Sequence, residues 1–355
     1  MGHLYMRKYG FLVLPSHNRV YSRTAAKMVR GELEVFNEAV MGGRVRDVAE
    51  ESLGGIAYVT FAVDELRGDD LRFLSNLSSL YALFEIDGDV LRPVPLSRLD
   101  LFGDDLLTIL KYAGKTNEDF TKLLLNVTAM ATTPPGDLIT RRMRVFDPLC
   151  GRGTTLNQAL MYGFDAAGVD VDRKDFESYS AFIKTWLKSH RLKHRAEVSR
   201  IRRERKILGS RLHVSVGASK DRYRDGDVIE LDVVNADTLL SDTFFKPASF
   251  DMLVTDTPYG VQHASRANGR RGGTSRHPVE LLRGAVPVWE RLVRPGGAVG
   301  ISWNTHVADR HDLASILTGS GFAVLDTDPH LSLKHRVDQA IVRDVIVARK
   351  PGHLR

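Results

Sequence analysis

From about residue 143 to the end of the chain, short apolar runs alternate with helical segments. Runs such as MRVFDPL and FDMLVTD have the length of buried strands, and segments such as TTLNQALMYG and HPVELLRGAVPVWERLV have the pattern of helices. Repeated strand and helix units give a mostly parallel sheet with helices on both faces. The sequence therefore predicts an α/β, Rossmann-like domain that binds its ligands at the carboxyl ends of the strands.

A smaller alternation of strand-like and helix-like stretches precedes this domain. Its first helical segment carries apolar residues at spacings of three or four, which are Ala25, Met28, Val29, Leu33 and Phe36. We expect a small N-terminal βαβαβ module over 1–100, a helical linker over 101–140 and the larger domain over 141–355. One long helical stretch is predicted from DFESYSAF to RIRRERK, residues 175–206, and a basic insertion is predicted at about 184–225.

Composition limits the classes of protein that this chain can belong to. A length of 355 residues favours two domains, and a net charge of +6 with a pI near 9.3 is compatible with a polyanionic partner. The apolar runs are too short for a transmembrane helix or a secretory signal, so we expect a cytoplasmic protein. The single cysteine, Cys150, excludes an intrachain disulfide and a multi-cysteine zinc site, and we expect no metal.

The segment FDPLCGRGTT, residues 146–155, joins a predicted strand to a predicted helix. Glycines at 151 and 153 allow a tight turn and a close approach of a ligand to the backbone. Leu156 occupies the position where a dinucleotide-binding loop has its third glycine, so pyrophosphate binding is disfavoured. Asp147 suits a cationic ligand. S-adenosylmethionine fits, because it has an ammonium, a sulfonium and a carboxylate that can accept N–H groups at a helix start.

This segment resembles the first motif of class I S-adenosylmethionine-dependent methyltransferases, in the form found in the RNA methylase family. That family includes tRNA guanine-N2 methyltransferases, many of which carry a THUMP domain, so the N-terminal module is expected to be ferredoxin-like or THUMP-like and a possible RNA-binding accessory domain. The resemblance implies a set of cofactor-binding residues within the motif, namely Asp147, Pro148, Cys150, Gly151, Gly153 and Thr154.

Two further acidic residues follow predicted strands. Asp170 lies 19 positions after Gly151, close to the interval at which an acidic side chain meets ribose hydroxyls in nucleoside-binding folds. Asp172 is the alternative for that role. The resemblance implies that Asp237, after the next strand, accepts the adenine amino group of the cofactor.

The segment FDMLVTDTPYG, residues 250–260, is predicted to carry the chemistry. It resembles the Asp/Asn-Pro-Pro-aromatic motif of amino-group methyltransferases, with Asp256, Thr257, Pro258 and Tyr259 as the catalytic set. An exocyclic base amine is a poor nucleophile, so its N–H groups need acceptors, and the Asp256 carboxylate and the Thr257 carbonyl can supply them. Tyr259 can stack on the base. Thr257 replaces the first proline, so we expect a looser corner.

Basic segments predict where a nucleic acid would bind. These are the insertion at about 184–225 and the glycine-rich tract at 265–278, whose neighbour His263 is expected to be a solvated loop residue. We expect RNA, with guanine N2 in tRNA as the favoured target. The alternatives are a DNA adenine-N6 or cytosine-N4 methyltransferase, a protein-glutamine methyltransferase, and a non-catalytic RNA-binding protein on a methyltransferase fold. The oligomeric state stays open.

Overall fold

A computed structural model describes residues 6–14, 19–112, 114–203, 206–257, 278–337 and 341–352. Its N-terminal part consists of β1 (Arg7–Val13), α1 (Arg19–Ala39), β2 (Arg46–Leu53), β3 (Ile56–Val63), α2 (Gly68–Leu74), β4 (Leu80–Asp87) and β5 (Val90–Val94). These strands form one antiparallel sheet in the order β2-β3-β1-β4-β5. The βαββαβ succession with β1 between β3 and β4 is the ferredoxin-like arrangement.

The N-terminal module therefore differs from the predicted βαβαβ unit at two places. Strand β2 was not predicted, because its sequence RDVAEESL is polar and lies at an edge of the sheet, where little of it is buried. The predicted last strand is a hairpin, since Gly88 adopts a φ of 58° and turns the chain between β4 and β5.

The linker and the larger domain follow. The linker contains α3 (Asp105–Thr108), α4 (Glu118–Met130) and α5 (Asp137–Thr140). The domain contains β6 (Arg144–Asp147), α6 (Thr154–Met161), β7 (Asp165–Asp170), α7 (Arg173–Ser189), β8 (His194–Arg203), β9 (Lys206–Val216), α8 (Lys220–Arg224), β10 (Ile229–Asn235), α9 (Ser241–Phe244), β11 (Phe250–Asp256), α10 (Pro278–Leu292), β12 (Val293–Asn304), α11 (Arg310–Gly319), β13 (Ala323–Leu325), α12 (Asp328–Leu331), β14 (His335–Arg336) and β15 (Val342–Arg349).

The second sheet has the order β13-β15-β12-β11-β6-β7-β10-β9-β8, with β14 paired to β15. Strands β10, β7, β6, β11 and β12 are parallel, whereas β15 runs antiparallel between β12 and β13. Apart from the hairpin β8–β9, this is the Rossmann-like arrangement of class I methyltransferases. The fold class predicted from the sequence is confirmed.

Alternate residues of the central strands face opposite layers of helices. On β6, Val145 joins the core that contains α4 and α6, and Phe146 joins the core that contains α10 and α11. On β11, Met252 and Leu253 divide in the same way. This period of two, with both faces apolar, explains why the strands read as continuous apolar runs.

The N-terminal module shares its core with the larger domain, because helix α1 packs against α4 and α12. A buried polar network reinforces this junction. The Glu32 carboxylate accepts the Ser78 N–H at 2.9 Å and the Asn126 side-chain N–H at 2.7 Å. Burial raises the pKa of Glu32, and the hydrogen bonds from Ser78 and Asn126 oppose that rise. The linker helix α4 thus connects the two sheets.

The prediction of one long helix from residue 175 to residue 206 is wrong. Helix α7 ends at Ser189, Arg191 adopts a left-handed φ of 54°, and the basic segment after it forms the antiparallel hairpin β8–β9. Strand β9 pairs with β10 and buries Leu212 and Val214, which alternate with polar residues. That alternation is the pattern of a half-buried strand. In β8 the same alternation is harder to recognise in the sequence, because most of its polar positions are arginines.

No helix in the described ranges is long and apolar enough to span a membrane.

Candidate active site

The carboxyl ends of the parallel strands bring the described site residues to one edge of the sheet. In the strand register, Asp147 pairs with Gly168 and Asp170 pairs with Asn235. Asp256 pairs with Ser302 at the end of β12. The glycine loop after β6 and the corner after β11 therefore leave neighbouring strands. The two motifs, which are about 100 residues apart in the chain, lie side by side.

The glycine loop depends on backbone conformations that favour glycine. Gly151 and Gly153 have φ angles of 48° and 81°. A Cβ on Gly153 would lie 2.3 Å from the Tyr179 ring, whereas a Cβ on Gly151 would meet nothing within 4 Å. The Gly151 N–H donates to the Asp170 carboxylate at 2.7 Å. The loop is thus fixed against α7 on one side and against the end of β7 on the other.

Helix α6 begins directly after this loop, and Gly153 provides no side-chain cap. The N–H groups of its first turn therefore point toward the strand edge without a cap, as helix starts that bind anions do. The Tyr112 hydroxyl lies 3.2 Å from the Thr154 hydroxyl. The Arg152 guanidinium lies 4.7 Å from the centre of the Tyr112 ring. Burial raises the pKa of Tyr112, so this hydroxyl is a neutral group beside the helix start.

Asp147 is buried between β6 and β11. Its carboxylate accepts the Thr255 hydroxyl at 2.8 Å and the Leu149 N–H at 3.1 Å, and only 3% of the residue is exposed. Burial raises the pKa of Asp147 to about 7, although the hydrogen bond from Thr255 opposes the shift. A carboxyl group in this state changes charge near neutral pH and responds strongly to a nearby cation.

The Asp170 carboxylate is also held by backbone N–H groups. One oxygen accepts from Gly151 and the other accepts from Asp172, each at 2.7 Å. Burial raises the pKa of Asp170 to about 6. Each carboxylate oxygen has a second lone pair, which leaves capacity for hydroxyl donors. Asp172, the alternative for the role of ribose acceptor, caps α7 by accepting the Lys174 N–H at 2.7 Å.

The other residues predicted to bind the cofactor lie at the same edge. Asp237 follows β10 and accepts the Leu239 N–H at 3.0 Å, as the first residue of a short 3₁₀ turn. Pro148 is buried. The Cys150 side chain is buried against β7, since a Cβ on Gly168 would lie 2.7 Å from the cysteine sulfur. Burial raises the pKa of the Cys150 thiol, which gives it the character of a packing residue rather than a nucleophile.

The carboxylate of Asp256 is held from three directions. The Thr116 hydroxyl donates to it at 2.6 Å, the Ser302 hydroxyl donates to its other oxygen, and the Arg343 guanidinium lies 3.4 Å away. The Arg343 side chain is 5% exposed and lies 4.3 Å from the centre of the Phe120 ring. The Asp256 side chain is 14% exposed. The carboxylate is therefore fixed in orientation while it still reaches solvent at the strand edge.

Thr257 is buried and forms two hydrogen bonds to the end of β12. Its N–H donates to the Ser302 carbonyl at 2.9 Å, and its hydroxyl donates to the same oxygen at 3.0 Å. A proline at this position has no N–H and could form neither bond. Hydrogen bonds thus supply rigidity where the looser corner was expected. Pro258, Tyr259, His263 and the tract at 265–277 lie outside the described residues.

Sequence reasoning missed the residues that surround these motifs. Tyr112 and Thr116 belong to the linker, which contacts both the helix start and Asp256. Ser302 and Arg343 come from β12 and the antiparallel β15. For Ser302, the signal was its place at the end of a predicted parallel strand. For Arg343, a lone arginine inside the apolar segment QAIVRDVIVA was a signal that it needed a buried anionic partner.

Comparisons with known proteins give likenesses of fold. No protein-family model matches the sequence, and no curated protein matches it. TrmN from Thermus thermophilus is 16% identical with a TM-score of 0.38, over 85% of this chain and 59% of TrmN. A TehB-like S-adenosylmethionine-dependent methyltransferase from Corynebacterium glutamicum is 14% identical with a TM-score of 0.34, over 60% of this chain and 84% of that one. The cyclase SpnF is 15% identical with a TM-score of 0.37, over 66% of this chain and 82% of SpnF.

This chain thus spans less than two thirds of the length of TrmN. At such identities and TM-scores these likenesses assign neither a substrate nor an activity. Among the described residues, no group of three or more His, Cys, Asp or Glu side chains could hold a metal ion.

Proposed function

We propose that this chain is an S-adenosylmethionine-dependent methyltransferase that acts on an exocyclic base amine of RNA, with guanine N2 in tRNA as the target. One observation carries the proposal. The Asp256 carboxylate, fixed by Thr116, Ser302 and Arg343, ends the strand next to the one that leads into the glycine loop. An oriented carboxylate beside a cofactor loop is the acceptor that an amine N–H needs.

The residues around the loop fit the chemical groups of S-adenosylmethionine. The uncapped start of α6 suits its carboxylate, the buried Asp147 suits its ammonium, and Asp170 suits the ribose hydroxyls. Val171 is 74% exposed between two carboxylates and offers an apolar face for a ring. When bound, the cofactor supplies an electrophilic methyl group. Pro148, Cys150, Thr154 and Asp237 complete the proposed cofactor site.

The chain's own groups hold the amine and take up its proton. The Asp256 carboxylate accepts one N–H, and the carbonyl of Thr257, a residue anchored to Ser302 through its own N–H and hydroxyl, can accept the other. Because a new N–C bond forms, the nitrogen must lose one proton, and Asp256 is the acceptor in reach of it. Pro258 and Tyr259, predicted to shape the corner and to stack on the base, belong to the proposal on sequence grounds alone.

The experiment that tests the proposal identifies the methylated product. The purified protein is incubated with labelled S-adenosylmethionine and either bulk tRNA or genomic DNA, and the nucleic acid is digested to nucleosides. Labelled N2-methylguanosine from tRNA is the expected result. Labelled N6-methyladenine or N4-methylcytosine from DNA would instead select the DNA alternative. Cofactor binding without label in either polymer would overturn the nucleic-acid assignment and favour a protein substrate or a non-catalytic protein.

Replacing the proposed acceptor separates chemistry from cofactor binding. We expect Asp256→Ala to lower kcat by about a hundredfold or more, because the amine loses its oriented acceptor. The Kd for S-adenosylmethionine, measured by calorimetry, should stay within about threefold of the wild-type value, because the residues assigned to the cofactor are untouched. Loss of cofactor binding together with turnover would show that Asp256 has been given the wrong role.

A further inference from the structure

The hairpin β8–β9 extends past the end of its neighbouring strand on the side of the candidate active site. Asn235, the last residue of β10, pairs with Ser210 of β9, so β9 residues 206–209 lie beyond the carboxyl end of β10. At about 3.3 Å per residue this overhang is roughly 13 Å long. Residues 201–203 of β8 pair with this part of β9. The hairpin tip, residues 200–203 and 206–210, therefore starts level with the end of β10 and extends past the edge at which the glycine loop and Asp256 lie.

Close contacts fix the hairpin to this edge. A Cβ on Gly209 would lie 2.2 Å from the Asn235 carbonyl oxygen, so glycine allows the two strands to approach where the overhang begins. The Asn235 side chain donates to the Asp170 carbonyl at 2.9 Å and to the Val171 carbonyl at 3.1 Å. The base of the tip is thus connected to the strand end that carries the proposed ribose acceptor.

The described part of the tip carries exposed positive charge. Arg200 and Arg202 are exposed, and in the described part of the chain neither forms an ion pair. At the opposite end of β8, Arg195 is paired with Glu197 at 2.8 Å. Among the described side chains, Arg195 far from the site is therefore neutralised, whereas the charges of Arg200 and Arg202 next to the site stay available.

A cleft of about 270 Å³ lies between the hairpin and helix α7. Arg200 and Ser199 line it from the hairpin, and Arg173 lines it from the start of α7. Arg173 is also paired with Glu177 at 2.7 Å. Arginine side chains from two elements thus converge on one opening beside the strand edge. Such a convergence suits phosphate groups, which accept the planar guanidinium donors in pairs.

We propose that the hairpin β8–β9 is a docking surface for RNA, with Arg200 and Arg202 bound to backbone phosphates. The inference rests on the proposed function, because it names how that substrate is held. Four strand spacings of about 4.8 Å separate β9 from β11, so the hairpin lies roughly 19 Å from Asp256 along the edge. Its contacts are to nucleotides outside the target, and the hairpin contributes to binding rather than to chemistry.

The test compares arginines at the two ends of the same strand. The double variant Arg200→Ser/Arg202→Ser loses two charges at the tip, and Arg195→Ser is the matched control at the opposite end. For the double variant we expect the KM for tRNA to rise about tenfold with kcat within about twofold. For this variant, the slope of the logarithm of the RNA association constant against the logarithm of the salt concentration should become shallower by about 1.5. The control should behave as wild type.

Two further measurements keep the outcome interpretable. Arg200→Lys/Arg202→Lys keeps the charge and should keep the salt slope, which a purely structural effect would not do. Binding of a fluorescent RNA stem-loop, measured by anisotropy, reports docking without any methyl transfer. An unchanged KM and salt slope in the Ser double variant, or an equal loss in Arg195→Ser, would overturn the hairpin proposal and leave the proposed function intact. Failure of the wild-type protein to label RNA would overturn the proposed function itself.

Discussion

The buried carboxyl group of Asp147 makes the stability of the fold dependent on pH. Its pKa in the folded protein is raised to about 7 by burial, whereas an aspartate in an unfolded chain has a pKa of about 3.9. A raised pKa means that folding disfavours the ionised form. The stability from the protonated group is fully present below about pH 4 and is lost as pH rises through about 7.

The substitution Asp147→Asn isolates this effect. The asparagine oxygen can still accept from the Thr255 hydroxyl and the Leu149 N–H, which share one carboxylate oxygen in the wild-type protein. The asparagine cannot ionise. A pKa raised by about three units costs the wild-type protein about 4 kcal/mol of folding free energy at high pH. About 2 kcal/mol of this loss occurs between about pH 5.5 and about pH 8.5. The variant should therefore gain stability over the wild type by that amount across this interval.

The assay is urea denaturation of both proteins at the two pH values, with the free energies of unfolding subtracted at each pH. Asp221→Asn is the control, because it makes the same substitution at a side chain that is 78% exposed. A difference for Asp147→Asn that stays constant between the two pH values would refute the reasoning. It would mean that water reaches the carboxylate between β6 and β11.

The same group links pH to cofactor binding under the proposed function. An ammonium beside Asp147 favours the ionised carboxylate, so a proton leaves when the cofactor binds. The affinity for S-adenosylmethionine should then rise by up to about tenfold per pH unit below about pH 7. Calorimetry in buffers of different ionisation enthalpy measures the released proton directly. The Asp147→Asn variant should lose this proton release, and its persistence there would exclude Asp147 as the source.

Two further substitutions test the rest of the site. Arg343→Met should lower kcat by about tenfold or more and leave the cofactor Kd unchanged, because the guanidinium positions Asp256 through its charge. Arg343→Lys keeps the charge and should recover part of the lost kcat. Equal losses of kcat in both variants would indicate a packing role alone. Gly153→Ala should destabilise the fold by about 3 kcal/mol, because its Cβ would overlap the Tyr179 ring, whereas Gly151→Ala should cost only about 1 kcal/mol for its left-handed φ. Thermal denaturation measures the loss of stability in both glycine variants, and equal losses would contradict the contact between residue 153 and Tyr179.

The larger domain could be predicted from the sequence because its signals are local. Each parallel strand is an apolar run of the right length, and each functional residue follows such a run directly. Since parallel strands end at one edge, the order of motifs along the chain already implied that Asp147, Asp170 and Asp256 would meet there. The structure confirms the fold class. The roles of these three carboxylates stay predictions.

The hairpin and the polar strand β2 could not be predicted because their local signals are ambiguous. Arginine, lysine and glutamate are favourable in helices, so the sequence around Arg200 predicted a continuation of α7. What decides otherwise is that β8 pairs with β9 and that β9 pairs with β10, a segment about 20 residues further along the chain. Pairing of this kind buries alternate residues of β9, and that burial outweighs the weak helix preference of β8.

The surroundings of Asp256 show why the candidate site is more constrained than its motif suggests. Thr116 precedes Asp256 by 140 residues and Arg343 follows it by 87, so no local pattern connects them. Their joint contact requires the linker to lie across the strand edge and β15 to run antiparallel beside β12. Because Thr257 is also tied to Ser302, a corner that lacks one proline is held by hydrogen bonds from three separate elements. Its rigidity is therefore a property of the tertiary structure, and a substitution in the linker or in β15 should disturb it as much as one in the motif.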